Sequence, residues 1–213
     1  MDINKNKETF IHLAKTYIKR AGLEDLLQFL EDSDWYAAPA STHYHGCVPG
    51  GLVQHSINVH RKLCNLYCLE KKNAGKGNNL TEEELETLAI IGLFHDLCKV
   101  NFYVLEQKNR KNPETGAWES VPCYTVKDTM PLGHGEKSVF LLNRYIGLLP
   151  EEIYAIRWHM GFTDSTFKGG DGTVGRAFEQ CPLAMLTHVA DLMSTYINEN
   201  EAGKTMFDIP VAQ

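Results

Sequence analysis

The sequence has little of what marks a secreted, membrane-embedded or nucleic-acid-coating protein. It carries 21 Lys and Arg residues against 27 Asp and Glu in 213 residues, a formal net charge of −6, so it predicts no general attraction to polyanions. Its strongest apolar run, residues 88–94, is far too short to cross a bilayer. Residues 1–8 are polar and of mixed charge, unlike a signal peptide. These absences predict a cytoplasmic protein with no membrane partner.

The sequence also lacks a cysteine motif that would indicate a disulfide framework. The six cysteines form no C-x-x-C pair and do not cluster in a short segment, which is typical of scattered reduced thiols rather than a disulfide framework. Hydrophobic residues make up 43% of the chain, enough for one well-buried core. The length therefore favours a single domain with peripheral additions over two full domains.

What is present is mostly helical periodicity. Apolar residues recur at helical spacing on both sides of Gly22, predicting two short helices, and residues 32–51 are rich in turn formers. Thr81 followed by Glu84 forms a capping-box pattern before a very apolar helix. The predicted helices cover residues 7–30 with a break, 52–72, 82–94, 135–146, 150–159 and 182–196.

One segment departs from this pattern. Residues 102–105 and 118–126 are rich in aromatic and β-branched side chains, and a polar turn at 112–116 lies between them. This arrangement predicts a β-hairpin within residues 101–128. The fold class predicted is all-α, with a small hairpin insertion.

Side chains able to bind a metal ion lie on or at the ends of five of the predicted helical elements. Asp96 and Asp191 lie in strongly apolar surroundings, where an ionised carboxylate is costly unless a cation or hydrogen bonds compensate. Imidazole and carboxylate together suit a divalent ion such as Mn, Fe, Ni, Zn or Mg. The candidate ligands are His55, His95, Asp96, His134, His159 and Asp191.

The other histidines have weaker cases. His188 lies three residues before Asp191 on the same helical face, so it is expected near the site, as a ligand, a support or a substrate contact. His43 and His45 precede a Gly-Gly pair and could rim the site. His12 and His60 are expected to face solvent.

The order of these residues resembles the H…HD…D signature of the HD superfamily of metal-dependent phosphohydrolases. The resemblance runs over residues 48–198 and rests on GGLVQHS at 50–56, LFHDLCK at 93–99 and the pair Ala190-Asp191. It implies a helical bundle in which His55, His95, Asp96 and Asp191 bind one metal. In two-metal members, two intermediate histidines bind a second ion, and His134 and His159 fall where these are expected.

The resemblance also implies a domain plan, and the sequence departs from the family pattern at three points. Helices and a loop in residues 1–47 would precede an HD core at 48–198, and 199–213 would form a tail. The hairpin does not belong to the minimal pattern and is a candidate specificity element. The G-Y-P signature of cyclic-di-GMP phosphodiesterases is missing, and Leu97-Cys98-Lys99 replaces the common Ile-Gly-Lys turn.

The function implied is hydrolysis of a phosphoester or phosphoanhydride bond, in a nucleotide or a related small phosphorylated substrate, by metal-activated water. Asp96 is the natural bridging ligand and catalytic carboxylate. Lys99, one helical turn later, is expected to contact a phosphate oxygen, although a solvated helix-end lysine is a close alternative. An HD-type nuclease and a non-catalytic nucleotide sensor remain open, and nucleic acid is the less favoured partner. Hairpin cations Lys108, Arg110 and Lys111 either close over a polyphosphate or form an ordinary basic turn.

Overall fold

The computed structural model describes residues 2–170 and 172–200, and over these ranges the chain is mostly helical with one two-stranded antiparallel sheet. The α-helices and strands are α1 (Ile3–Tyr17), α2 (Leu23–Glu31), α3 (Gly51–Asn73), α4 (Glu82–Phe94), β1 (Tyr103–Lys111), β2 (Trp118–Val126), α5 (His134–Leu142), α6 (Pro150–Arg157), α7 (Ser165–Lys168), α8 (Thr173–Gln180) and α9 (Pro182–Met193). Short 3₁₀ turns cover Leu97–Lys99 and Gly161–Thr163, and a π-helical turn covers Ser194–Asn198. None of the helices in the described ranges is both long and apolar enough to span a membrane.

The main core contains buried side chains of α1, α2, α3 and α4, and α1 packs directly on α3 and α4. Phe10 is fully buried, and its ring meets the rings of Trp35, Tyr36 and Phe94 edge-on at centroid distances of 5.8, 6.0 and 5.4 Å. The predicted break between the first two helices is confirmed at Gly22, which has φ +92°. A Cβ there would lie 1.9 Å from the carbonyl oxygen of Tyr145, so only glycine fits.

α3 and α4 form the centre of the bundle, and α9 and α6 complete it: α3 packs on α4 and α9, and α6 packs on α9 and α5. The capping box that starts α4 is confirmed, with reciprocal hydrogen bonds between Thr81 and Glu84. α4 is then buried all round, because seven consecutive residues from Leu88 to Phe94 face protein. This burial places the residues that follow α4 in the middle of the molecule.

A buried ion pair joins the N-terminal segment to α6. The Arg20 guanidinium donates to both carboxylate oxygens of the fully buried Glu152, at 2.6 and 2.7 Å, and Thr87 donates to one of them at 3.0 Å. Bidentate pairing of this kind fixes geometry as well as charge. It ties the start of α6 to α4 and so fixes the relative position of two helices whose far ends carry candidate ligands.

The predicted hairpin is confirmed. β1 and β2 pair from Tyr103 opposite Val126 to Lys111 opposite Trp118, and most of the side chains are exposed. A lone two-stranded sheet is marginally stable in water, so its base needs anchoring. The Tyr103 hydroxyl provides an anchor, because it donates to the carbonyl of Ala40 at 3.2 Å.

One sequence expectation is wrong. His60 is only 4% exposed and its Nδ1 lies 3.4 Å from the carbonyl oxygen of Leu88. The reason is the tight α3–α4 contact: Gly92 has no side chain, so α4 lies directly on the backbone of His60.

Candidate metal centre

Two histidines from adjacent helices meet at the centre of the bundle. His55 of α3 and His95, the residue that ends α4, are 1% and 0% exposed, and their Nε2 atoms lie 3.4 Å apart. The Nδ1 atom of His95 donates to the carbonyl of Gly92 at 3.0 Å, which leaves its Nε2 as a lone pair facing inward. A backbone bond of this kind is the usual way in which a protein orients a metal-binding imidazole.

Asp96 lies between this histidine pair and a second one. Its Oδ2 atom is 3.5 Å from His95 Nε2 and 3.8 Å from His55 Nε2. Its Oδ1 atom is 2.8 Å from His134 Nε2 and 3.5 Å from His159 Nε2. Each oxygen of one carboxylate therefore faces a different pair of imidazoles.

Asp96 ionises readily in spite of being 2% exposed. Burial alone would raise its pKa, but the adjacent ammonium of Lys99 and the surrounding histidines hold that pKa well below its usual range. The carboxylate is thus a permanent negative charge at the centre of the site.

Asp191 reaches the first histidine pair from α9. Its Oδ1 atom lies 3.2 Å from His55 Nε2. Burial opposes its ionisation, yet the hydrogen bond and charge of His55 lower its pKa. Conversely, although burial disfavours a charged imidazole, Asp191 and Glu199 raise the pKa of His55 to about 10. The surroundings of His55 therefore favour positive charge.

The second pair comes from the neighbouring helices. His134 opens α5 and His159 follows α6, with their ring centroids 5.3 Å apart. The Nδ1 atom of His159 donates to the carbonyl of Ile156 at 2.6 Å, and its buried Nε2 has no hydrogen-bond partner among the described residues. An orphaned imidazole lone pair that points at a carboxylate is suited to a cation.

Lys99 and His188, which were predicted to contact substrate, are both hydrogen-bonded to other groups of the protein. The Lys99 ammonium is buried, 2.7 Å from Asp96 Oδ2 and 2.8 Å from the carbonyl oxygen of Ala40. Burial alone would lower the pKa of Lys99, but Asp96 raises it above its usual value. His188 is 7% exposed and its Nδ1 donates to the backbone carbonyl of His159 at 2.8 Å. Their contact with substrate stays a prediction, and in this structure both hold other parts of the site.

Sequence reasoning missed Glu199 as a site residue. It was assigned to the tail, but its carboxylate oxygens both lie 3.1 Å from His55 Nδ1, and one accepts from Asn58 at 2.9 Å. The carboxylate thus orients His55 in the way that an outer carboxylate orients a metal-bound imidazole. Its position in a polar segment after the last helix gave no signal of this role.

Residues 40–47, which we call the His45 loop, bring a further imidazole to the centre. The ring of His45 lies 4.8 Å from that of His55, centroid to centroid. Sequence reasoning had placed His43 and His45 together at the rim, and the structure separates them. His43 lines a surface cleft, whereas both ring nitrogens of His45 are shielded from solvent.

The donor set fits one or two divalent ions. Four groups of three residues can each supply three ligand atoms that lie within 4.8 Å of one another. They are His55, His95 and Asp191; His95, Asp96 and His159; Asp96, Cys98 and His134; and His45, His55 and Glu199. Nitrogen and carboxylate oxygen donors suit Mn, Fe, Ni or Zn and exclude none of these. Cys98 adds a sulfur 3.4 Å from His134 Nδ1 that the sequence did not single out.

The other five predicted ligands thus lie around Asp96, and all six are on or just after α3, α4, α5, α6 and α9. Comparison with protein-family models gives no match for this chain, and neither curated proteins nor solved structures match it. What can be stated on the described residues is a mostly helical protein with a buried His/Asp cluster positioned to hold metal.

Proposed function

We propose that this protein is a metal-dependent phosphohydrolase of the HD type that cleaves a phosphoester or phosphoanhydride bond of a nucleotide. The observation that carries the proposal is the position of Asp96, whose two oxygens face two different histidine pairs. A carboxylate in that position is suited to bridge two cations, which is the arrangement of binuclear hydrolase sites. The HD-like order of the motifs supports the same reading.

The charge of the site supports a phosphate substrate. Around the histidines lie the carboxylates of Asp96, Asp191 and Glu199 and the ammonium of Lys99. A histidine must be neutral to bind a metal ion, so in the metal-bound state these four groups leave two excess negative charges. One divalent cation would cancel that charge and a second would reverse it. A centre with two ions would then complement an anionic phosphoryl group.

The roles of the chain's own residues follow from their contacts. His55, His95, Asp96 and Asp191 would hold one ion, and His134, His159 and Asp96 the other. Divalent ions bound there would activate water for attack and polarise the phosphoryl oxygens. Lys99 fixes the Asp96 carboxylate, and His188 fixes the backbone of His159. Six of these groups are at most 8% exposed, which excludes bulk water and strengthens their electrostatic contacts: His55, His95, Asp96, Lys99, His159 and His188. The side chains of His134 and Asp191 are 27% and 16% exposed.

A surface cleft beside the site suits the remainder of a nucleotide. Between the His45 loop and the hairpin lies a cavity of about 370 Å³, lined among others by Thr42, His43, Arg110 and Tyr124. That volume lies within the range of small-ligand sites, and its lining combines a cation with an aromatic ring. Tyr103 joins the hairpin to the site, because it donates to the same Ala40 carbonyl as Lys99.

Metal analysis of the purified protein, combined with a phosphohydrolase panel, tests the proposal. The panel contains nucleoside mono-, di- and triphosphates, dinucleotides, cyclic dinucleotides and short RNA and DNA, with Mn added. We expect bound divalent metal and turnover of a nucleotide by the wild type, and loss of both in Asp96→Ala. The exposed residue Asp25 supplies the control Asp25→Ala, which should match the wild type.

Each other outcome assigns the site differently. Turnover of RNA or DNA alone would make the protein a nuclease, and tight nucleotide binding without turnover would make it a sensor. If the wild type and Asp96→Ala are equally inert and equally free of metal, the proposal is wrong. Anomalous scattering at the site would count the ions.

A further inference from the structure

The His45 loop is held rigidly against the candidate centre. The carbonyl of Ala40 accepts a hydrogen bond from the Lys99 ammonium, and the N–H of Ala40 donates to the carbonyl of Gly46 at 2.9 Å. The Ser41 hydroxyl donates to the carbonyl of His45 at 2.8 Å. A Cβ on Gly51 would lie 2.0 Å from the carbonyl oxygen of Gly46, so the glycine lets the loop lie directly on the start of α3. The loop is therefore positioned by bonds to the same elements that carry the ligands.

The imidazole that this loop presents is unpaired. Both ring nitrogens of His45 are buried and neither has a hydrogen-bond partner within residues 2–170 and 172–200. Native proteins pair the great majority of buried polar atoms, because an unsatisfied one costs about 1–3 kcal/mol. Because it lies beside a cluster of candidate metal ligands, the unpaired imidazole of His45 is available to a partner from outside the chain.

His45 retains one N–H donor. An imidazole carries at least one N–H in each of its protonation states, so one buried ring nitrogen of His45 is a donor. A neutral imidazole carries one N–H and one lone pair. His45 belongs with His55 and Glu199 to one of the groups that could hold a metal ion, but the Nδ1 atom of His55 is already paired with Glu199 at 3.1 Å.

We propose that His45 donates its N–H to a phosphoryl oxygen of the substrate, so that the His45 loop is the phosphate-recognition element of the site. This inference rests on the proposed function, because it takes phosphate at the metal centre as the missing acceptor. A donor that is fixed in position and shielded from water binds an anionic oxygen more strongly than a solvated one does. The alternative role, direct coordination of a metal ion by His45, is separated by the test below.

Two substitutions of similar shape test the donor. His45→Gln keeps an N–H group at the end of a flexible side chain, whereas His45→Met has a similar length and no donor. Each variant is loaded with Mn, its metal content is measured by mass spectrometry, and its affinity for inorganic phosphate is measured by calorimetry. His12→Phe, which removes an exposed histidine from α1, is the control.

We expect all variants to retain the metal content of the wild type. Phosphate should bind His45→Met about 10-fold or more weakly than the wild type, the effect of one hydrogen bond to a charged group, and His45→Gln should recover most of that loss. Equal phosphate affinity in the Met and Gln variants would overturn the inference. A loss of metal in both would also overturn it, by assigning His45 to the metal. Wild-type protein that holds metal but binds no phosphate would instead refute the proposed function itself.

Discussion

Gly92 is a position at which the geometry of the site depends directly on the absence of a side chain. It lies inside α4, three residues before His95, and its carbonyl accepts a hydrogen bond from the Nδ1 atom of His95. A Cβ at this position would lie 2.5 Å from the Cα and 2.8 Å from the Cβ of His60 on α3. Carbon atoms normally approach to about 3.5–4.0 Å, so Gly92→Ala must move the two backbones apart by roughly 1 Å.

The cost of that movement has two parts. Overpacking of a buried contact costs about 1–3 kcal/mol, and here both sides are backbone, so the upper end applies. Alanine returns roughly 1 kcal/mol through its better helix propensity. We therefore expect Gly92→Ala to lower the free energy of unfolding by about 2 kcal/mol, measured by urea denaturation in EDTA so that metal makes no contribution.

The same displacement should reach the metal centre. His55 and His95 lie on the two helices that must separate, and metal–ligand distances tolerate only about 0.2 Å. We expect the metal affinity of Gly92→Ala to fall at least about 10-fold, as it does when groups that orient metal ligands are altered. Titration of the EDTA-treated, dialysed protein with Mn measures this loss.

Gly175 supplies a matched control of opposite sign. It lies inside α8, and a Cβ there would have no neighbour within 4 Å among the described atoms. Gly175→Ala should stabilise the protein by roughly 0.5–1 kcal/mol and leave metal affinity unchanged. If Gly92→Ala is as stable as the wild type and binds metal as tightly, close α3–α4 packing is not what sets the His55–His95 distance.

Three further perturbations have expected outcomes. Asp96→Asn leaves the buried Lys99 ammonium without its carboxylate, so it should lower the free energy of unfolding by about 3–5 kcal/mol, measured by urea denaturation in EDTA. The double variant Asp96→Asn/Lys99→Met should recover much of that loss. An unchanged urea midpoint in Asp96→Asn would refute the pairing. Mn at about 1,000 times its dissociation constant should stabilise the wild type by about 4 kcal/mol, a rise of roughly 8–16 °C in Tm by scanning fluorimetry, and no shift would contradict a built metal site. Although burial opposes it, hydrogen bonds from Thr166 and the charge of Arg157 lower the pKa of Asp164. Its contribution to stability is therefore present above the unfolded value of about 3.9 and lost as pH falls through the folded one, so Asp164→Asn should show a flatter decline in urea stability between pH 5 and pH 3.

The parts of the fold that were predictable are those whose signals are local. The Thr81–Glu84 capping box starts α4 at the expected residue, and the segments rich in aromatic and β-branched residues on either side of the polar turn form β1 and β2. The last long helix was expected to continue to residue 196, but α-helix ends at Met193 and a π-helical turn follows. The short helices α7 and α8 were not predicted, because few residues define their periodicity and the glycines at 169, 170 and 172 between them indicated only a loop.

For the site, residue type and order indicated which side chains would meet, but not what each would touch. Asp96 and Asp191 were recognisable because a carboxylate in an apolar run needs a partner, and the structure brings both to His55. His45 and Glu199 lie in irregular segments without periodicity, so no spacing rule connects them to α3. Their contacts depend on the packing of the whole bundle, which sequence spacing does not encode.

Lys99 lies at the site, as the sequence predicted, but its ammonium contacts other groups of the protein. Its ammonium does not extend toward solvent, because it lies between the Asp96 carboxylate and the carbonyl of Ala40, the first residue of the His45 loop. One buried cation thus holds the candidate bridging carboxylate and the candidate phosphate-binding loop at the same time. A displacement of Asp96 by a bound ion would be transmitted through this ammonium to the loop that carries His45. Under the function proposed above, metal binding and phosphate recognition would be coupled through this single side chain.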